Sequence, residues 1–376
     1  LLDIESESQE GIVVTYSRKE SGRRRHHEIE THRALARKLA NIKGWRFEGE
    51  FDASKSYPAP LYFVPSDTLS TVALAESLGI RNEQDLFGGV VPYSFVATKS
   101  ITHTLVDDDA VAPKGWSHDF SSRAQDVVLT GFTVFSFDDA LKAGTRLLMQ
   151  GAVRLKKSSG IGGLDQFVVR DEQQLLNKLQ SMNSAEMMRD GLVLEVNLTD
   201  VETYSVGQVK VGNVLATYYG TQGLTTNNQG MEVYGGSQLV IARGDFDALL
   251  RLDLPVEMRT AVSQACVYHA AAMAAYPGLM MSRCNYDIVR GKDEQGQTRS
   301  GVLEQSWRIG GASGAEIAAL EAFQRHASLD VVFESTTEIY GDAPDLPDDA
   351  EIYYQGVDPD IGPLTKYSRW KPYANP

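Results

Sequence analysis

Short β-branched runs alternate with helical patterns along most of this chain, which confines it to a sheet built partly from parallel strands with helices packed on its faces. Gly11-Ile-Val-Val-Thr-Tyr16 predicts a strand, and after the basic stretch Arg23 to Arg25 the pattern from Glu28 to Ile42 predicts a helix. Leu61-Tyr-Phe-Val64 predicts another strand, ended by Pro65-Ser-Asp67, and a helix over Thr71 to Leu78 stops at Gly79. At 376 residues the chain is too long for one small core and suits two or three lobes of about 100 to 200 residues.

The middle of the chain adds a more specific order. Acidic, loop-like sequence at Asp107 to Asp109 precedes Phe137-Asp-Asp-Ala140, which opens a helix with carboxylates in its first turn. From Val153 onward the pattern is strand, Gly-rich turn, strand over Gln166 to Val169, then helix over Glu172 to Ser181. Leu192-Val-Leu-Glu-Val196 and Tyr204-Ser-Val-Gly-Gln-Val209 are strand-like. The Gly-, Asn- and Thr-rich segment from Gly220 to Gly236 reads as a long loop, a candidate lid or binding element. A helix over Glu257 to Ala275 is followed by strands at Tyr286-Asp-Ile-Val289 and Gly301-Val-Leu-Glu304. A last helix over Gly314 to Arg325 precedes a Pro- and Asp-rich tail.

Composition narrows the partners. A formal net charge of -14 disfavours nonspecific nucleic-acid binding, which depends on Lys and Arg releasing phosphate counterions, so an anionic substrate needs a locally basic pocket. The two cysteines, Cys266 and Cys284, form no CxxC or disulfide-like framework, which favours a reducing compartment. No apolar run reaches the roughly 18 to 20 residues a membrane helix needs, and the charged start at Asp3 to Glu10 has no secretory core. The expectation is a cytoplasmic protein acting on small molecules, with neither nucleic acid nor membrane as partner.

Two constellations can carry chemistry. In Val153-Arg-Leu-Lys156-Lys157-Ser158-Ser-Gly160-Ile-Gly162-Gly163 the lysines end a strand beside a Gly-rich turn. Glycines let backbone N–H groups approach phosphate oxygens, and a strand-anchored lysine supplies a fixed positive charge. The same residues also suit an ordinary Gly-rich hairpin, and their spacing matches neither GxxxxGK[ST] nor GxGxxG. The second constellation is Asp287 on one strand and Glu304 on the next, with Ser306 and Arg308 at alternate positions after it. Alternation puts Glu304, Ser306 and Arg308 on one face, and a hairpin brings Asp287 beside them. Paired carboxylates suit Mg2+, which takes a few oxygen ligands and completes its shell with substrate phosphates; a solvated hairpin face is the alternative.

Other candidates fail on geometry. His27 and His32 flank Glu28 as HExxxH, but that spacing turns roughly 140° around a helix and cannot jointly ligate zinc. Ser313 in Gly310-Gly-Ala-Ser-Gly314 lacks the GxSxG order of a nucleophile elbow and reads as a turn before the last helix.

Taken in order, these elements resemble the ATP-grasp superfamily, and the full chain resembles a bacterial branch designated as a domain of unknown function. In that superfamily a first lysine precedes the small lobe and a second ends a strand before a Gly-rich loop. An acidic hinge follows, and an acid plus an ExN strand close the site. Lys99, Lys156, Glu195 with Glu202, Asp287 and Glu304 fall in that sequence. The resemblance covers roughly Leu61 to Phe323, and more loosely the first sixty residues.

The resemblance implies an α/β protein with the ATP-grasp fold. A pre-ATP-grasp Rossmann-like lobe would occupy residues 1–95, a small nucleotide-clamping lobe 96–195, a large lobe with the metal site 196–330, and a C-terminal tail packing on the body 331–376. It implies that Lys99 and Lys156 hold ATP phosphates under the loop from Ser158 to Gly163, where Lys157 stands in place of a frequent Pro. The hinge backbone near Val196 and Leu198, after Glu195, would meet adenine, and Glu202 would bind ribose. Glu304 and Asp287 would bind Mg2+, and Arg308 would face the transferring phosphoryl group or the substrate. Ser306 departs from the Asn of the ExNxR pattern, although a hydroxyl can also bind Mg2+. Arg283 is a further candidate for phosphate or substrate.

The implied activity is ATP-dependent joining of a small-molecule carboxylate to an amine or similar nucleophile, with ATP and Mg2+ as cofactors, the Gly220 to Gly236 segment as lid, and a homodimer as the common assembly of relatives. Two other readings stand beside it, a nucleotide-binding sensor or scaffold of degenerate ATP-grasp fold and an ATP-grasp kinase.

Overall fold

The computed structural model describes residues 10–17, 25–158, 166–342 and 344–373. Its N-terminal lobe is a parallel three-stranded sheet, order β2-β1-β3, from β1 (Ile12–Tyr16), β2 (Arg46–Glu50) and β3 (Leu61–Pro65). Helix α1 (His26–Lys43) connects β1 to β2 and ends at Gly44, whose φ of 66° is the left-handed conformation that closes a helix without a Cβ penalty. The run Ile12-Val13-Val14 is apolar throughout because both faces are covered. Val13 packs with Leu35 and Leu39 of α1, while Ile12 and Val14 pack with Phe63 and Leu69 and with Ala75 of α2 (Val72–Ser77). Strand β4 (Gly89–Val90) then leads through α3 (His118–Ala124) to the next lobe.

That lobe is an antiparallel sheet, order β5-β8-β6-β7, made of β5 (Gly131–Val134), β6 (Val153–Lys157), β7 (Gln166–Val169) and β8 (Leu192–Val196). Helices α4 (Phe137–Leu148), α5 (Glu172–Gln180) and α6 (Ser184–Asp190) belong to it. Each starts at a side-chain cap: Ser136 accepts from Asp139 N, Asp171 from Gln174 N, and Asn183 from Ala185 N and Glu186 N. Such a cap is worth about 1 kcal/mol. The β-turn-β-α order of the sequence is thus one small lobe, with Leu147, Leu155, Leu175 and Leu194 in its core.

The largest element is an eight-stranded antiparallel sheet, order β14-β13-β9-β10-β11-β15-β17-β16. Strands β9 (Thr199–Val211), β10 (Val214–Thr226) and β11 (Glu232–Arg243) come first, then α7 (Phe246–Leu250) and α8 (Val256–Ala275). After β12 (Met280–Met281), which pairs with β4, come β13 (Arg283–Lys292), β14 (Thr298–Ser306), α9 (Ser313–Arg325), β15 (Val331–Tyr340), β16 (Glu351–Asp358) and β17 (Gly362–Pro372). One face of the sheet packs Val206, Tyr286 and Val302 against α8, and the other packs Val209, Tyr218 and Ile241 against α9 and α1.

Two regions differ from the sequence reading. Residues 220–236 are no loop lid: they are mostly the paired ends of β10 and β11, in register from Gly220↔Leu239 to Thr226↔Glu232, leaving a short tip at residues 227–231. The glycines that suggested a loop serve close backbone approach instead. A Cβ on Gly220 would lie 1.9 Å from Gln238 O, and one on Gly236, at φ 135°, would lie 2.0 Å from Thr336 O. The Pro- and Asp-rich tail supplies β15, β16 and β17, three full strands of the large sheet.

Candidate active site

Strand alternation and the β13–β14 hairpin produce the carboxylate pair. Asp287 and Glu304 are directly opposite in register, so their side chains leave the same face of the sheet. Asp287 accepts from Gln222 Nε2 (2.8 Å) and Asn285 Nδ2 (2.9 Å). Burial, and then the negative charge of Glu304, push its carboxyl up to about 6. Two carboxylates facing each other this closely form a donor set that a hard divalent cation relieves. Among the described residues no group of three or more His, Cys, Asp or Glu side chains is placed to hold a metal. Two carboxylates plus phosphate oxygens fit Mg2+ and do not fit a zinc site.

Lys99 reaches this pair from the chain between lobes. It lies in a single 3-10 turn, Lys99–Ile101, and its Nζ is 2.7 Å from Glu304 Oε2. The surrounding segment is tied to β14, since Gln305 Nε2 donates to Val96 O and Thr98 O and Thr102 Oγ1 donates to Leu303 O. Four residues beyond Lys99, His103 Nε2 is 3.0 Å from Glu195 Oε2. The other oxygen of Glu195 is 2.5 Å from Lys156 Nζ. Residues 96–103 therefore connect the Asp287–Glu304 carboxylates to the Lys156–Glu195 pair. Burial opposes ionisation of Glu195, but Lys156 and His103 outweigh it and hold the carboxyl down at about 2.

The remaining sequence candidates fall into place unevenly. Ser158 is buried, and its hydroxyl donates to Gly191 O at 2.9 Å. Lys157 turns away to Glu186, 3.1 Å distant. Gly160, Gly162 and Gly163 lie outside the described residues. In the candidate hinge, the Val196 N–H is already donated to Thr130 O and the Asn197 N–H to Ala152 O. Leu198 packs with Leu129, Val289, Val196 and Leu303, an apolar patch beside the carboxylate strands. Glu202 is exposed on β9, where it accepts from Tyr204 Oη at 2.5 Å and faces Arg290 at 3.6 Å.

Arg308 is half-buried, with Nη1 on Ile309 O. Arg283 does not face a phosphate site. Its guanidinium is fully buried against Glu316 of α9, with Nη2 2.6 Å from Oε1, while Nη1 donates to Ser306 O, Ser306 Oγ and Arg308 O. That pair pins the backbone of Ser306 and Arg308. Ser313 donates to Glu316 Oε2 at 3.1 Å, which fixes it as a structural residue at the start of α9.

Several contributors had weak sequence signals or none. Gln222 lay in the presumed loop, and His103 belongs to no motif. Asn285 could have been found, because it stands two residues before Asp287 on the same strand face. His27 and His32 sit in α1, where His32 Nε2 bonds Val64 O and neither joins the site.

A parallel N-terminal lobe, a four-stranded antiparallel lobe and a large antiparallel sheet, in this order, give the chain the ATP-grasp fold. The chain belongs to the DUF3182 family, described as proteins of unknown function, whose model matches residues 13–368. Among solved structures it is similar to a biotin carboxylase–β,γ-ATP complex from Campylobacter jejuni. The TM-score is 0.51 at 12% identity, over 97% of this chain and 88% of that one. Similarity also extends to a phosphoribosylamine–glycine ligase from Thermotoga maritima (TM-score 0.49, 13% identity, 96% and 92% covered). A D-alanine–D-alanine ligase from Bacillus anthracis follows (TM-score 0.48, 12% identity, 85% and 94% covered). At such identities the first likeness establishes the fold alone, and a search of curated proteins returns no match.

Proposed function

We propose that the protein is an ATP-dependent ligase that activates a small-molecule carboxylate as an acyl phosphate and joins it to an amine or similar nucleophile, releasing ADP and phosphate. The observation that carries this reading is the meeting of Lys99 with the Asp287–Glu304 carboxylate pair, on a segment whose next residues brace Lys156 through Glu195. Asp287 and Glu304 would hold Mg2+, which neutralises the triphosphate and orients the transferring group.

The roles of this chain's own residues follow from charge and position. Lys156 and Lys99 bind phosphate oxygens, and Ser158 precedes Gly160, Gly162 and Gly163, whose lack of a Cβ would let backbone N–H groups approach those oxygens. Glu195 sets the height of Lys156. The Val196–Leu198 hinge offers an apolar wall to adenine, with Val196 contributing its side chain rather than its committed N–H. Glu202 takes a ribose hydroxyl once Tyr204 yields. Arg308 neutralises negative charge on the phosphoryl group as the substrate carboxylate attacks it, which is where electrostatic stabilisation gains most. Ser306 places Glu304 and Arg308 through its backbone.

Thermal midpoints measured with ADP and with a nonhydrolysable ATP analogue, with and without Mg2+, test the binding half of this reading. A Mg2+-dependent rise that Lys156→Ala and Glu304→Ala both diminish is expected, because a ligand that binds only the folded state raises stability by mass action. Phosphate release on screening carboxylates with amines tests the chemical half. ADP formation with phosphate retained on the product would point to a kinase, and no shift at millimolar nucleotide to a non-catalytic member of the fold.

A further inference from the structure

Asn285 sits directly across β13–β14 from Ser306, the position where the ExN pattern has its amide. The hydrogen bonds around the two side chains differ in what they leave for a cation. Ser306 Oγ is 3.3 Å from Arg283 Nη1, so its oxygen faces a buried guanidinium, a poor neighbour for a divalent cation. The Asn285 amide instead stands between Asp287 Oδ1 (2.9 Å) and the Tyr218 hydroxyl (2.9 Å). Tyr218 Oη is also 2.6 Å from Glu316 Oε1, and a phenol has one hydrogen for both acceptors.

That count leaves one acceptor facing another in the metal-free arrangement, and a cation at Asp287 relieves it by turning the amide. The carboxylate of Glu316 is the shorter contact and a charged acceptor, so it takes the phenol hydrogen. Tyr218 Oη then offers Asn285 only lone pairs, and the partner they need is an N–H donor. Turning the amide by half a rotation supplies it, with Nδ2 donating to Tyr218. The same turn places Oδ1 where Nδ2 now stands, 2.9 Å from Asp287 Oδ1. Two acceptor oxygens at that separation repel unless a proton on Asp287 or a cation lies against both, and a bound Mg2+ displaces the proton.

We propose that Asn285, rather than Ser306, supplies the neutral oxygen ligand of the metal site, transposed from one strand of the hairpin to its partner. Arg283, Glu316 and Tyr218 are the positioning residues that select the ligating orientation of its amide. The inference rests on the ligase reading only in requiring a Mg2+-nucleotide site at Asp287 and Glu304.

The test is the Mg2+ concentration that gives half of the ADP-induced rise in thermal midpoint, with the midpoint lacking nucleotide as the folding control. Asn285→Ala is expected to raise that concentration about tenfold or more, and Ser306→Ala by less than about threefold. Asn285→Asp, which presents oxygen in both orientations, is expected to lower it by more than Ser306→Asp, which adds the same charge directly across the hairpin, and a purely structural role for the amide does not produce that difference. Should Asn285→Ala fail to fold, the Asn285→Asp comparison carries the same decision. An Asn285→Ala chain with the wild-type Mg2+ response, or an Asn285→Asp chain that gains no more than Ser306→Asp, overturns the proposal alone. A wild-type chain with no Mg2+-dependent response to ADP overturns both it and the ligase reading.

Discussion

Lys99 Nζ lies 2.7 Å from Glu304 Oε2, so a candidate phosphate lysine and a candidate metal carboxylate neutralise each other. The ion pair couples two binding events that could otherwise be independent. Phosphate must compete with Glu304 for Lys99, and Mg2+ must compete with Lys99 for Glu304, so either alone meets a resistance that both together remove. ADP with Mg2+ is therefore expected to raise the thermal midpoint by more than the separate effects of ADP in EDTA and of Mg2+. In Glu304→Ala that synergy should shrink, while binding of metal-free ADP holds or improves because Lys99 is released. Calorimetric titration with ADP in EDTA measures the second half directly; weaker metal-free binding in Glu304→Ala would count against the coupling.

Glu195 is the next test, because its two oxygens are committed to Lys156 and His103 inside the small lobe. Glu195→Ala leaves the Lys156 ammonium buried without its partner, an arrangement that costs about 3–5 kcal/mol. The carboxyl is depressed from 4.5 to about 2, so its contribution is fully present above the unfolded value and is lost as pH falls through the folded one. Urea unfolding of wild type and Glu195→Gln should accordingly differ most at pH 6 and converge as pH falls from about 5 towards 2. A gap that stays constant with pH would show that the ion pair is not its source.

How far the sequence carried varies from element to element. The β-turn-β-α lobe and the carboxylate hairpin were legible because they are local: alternation fixes faces, and one turn fixes their pairing. The positions of Lys99 and His103 were not, since they depend on Gln305 and Thr102 binding residues 96–102 to a strand about two hundred positions later. Residues 220–236 were misread for a different reason. Glycine lowers strand propensity, and its value at Gly220 and Gly236 lies in neighbouring backbones that approach too closely for any Cβ, which one strand's sequence cannot reveal. Arg283 looked like a phosphate ligand because its acid, Glu316, lies 33 residues away on a different element.

The β10–β11 hairpin yields a prediction opposite to that of a mobile lid. Its strands stay paired to Thr226↔Glu232, and Asn228 Nδ2 donates to Ile361 O and Pro363 O beside β17. Those amides of residues 221–225 and 233–237 that donate across the β10–β11 ladder should therefore exchange slowly, with or without nucleotide. Gly236→Ala should destabilise the fold by about 2 kcal/mol or more, combining the strain of a positive φ with a collision at Thr336 O. Fast exchange along both strands would restore the lid reading.

Glu334, on β15, is fully buried, and among the described residues neither carboxylate oxygen has a hydrogen-bond partner. Burial, and then the charge of Glu351, push its carboxyl from 4.5 up to about 9, so the folded protein keeps it protonated at neutral pH. The sign is opposite to that of Glu195. The unfolded chain ionises this group near its ordinary value and the folded chain does not, so its contribution falls as pH rises, by about 1.4 kcal/mol per unit, until pH passes the folded value. Glu334→Gln has nearly the same shape and no titration. Its stability relative to wild type should therefore climb between pH 5 and 9 in urea unfolding and level off above, whereas a flat difference would mean that Glu334 is ionised and paired in the fold.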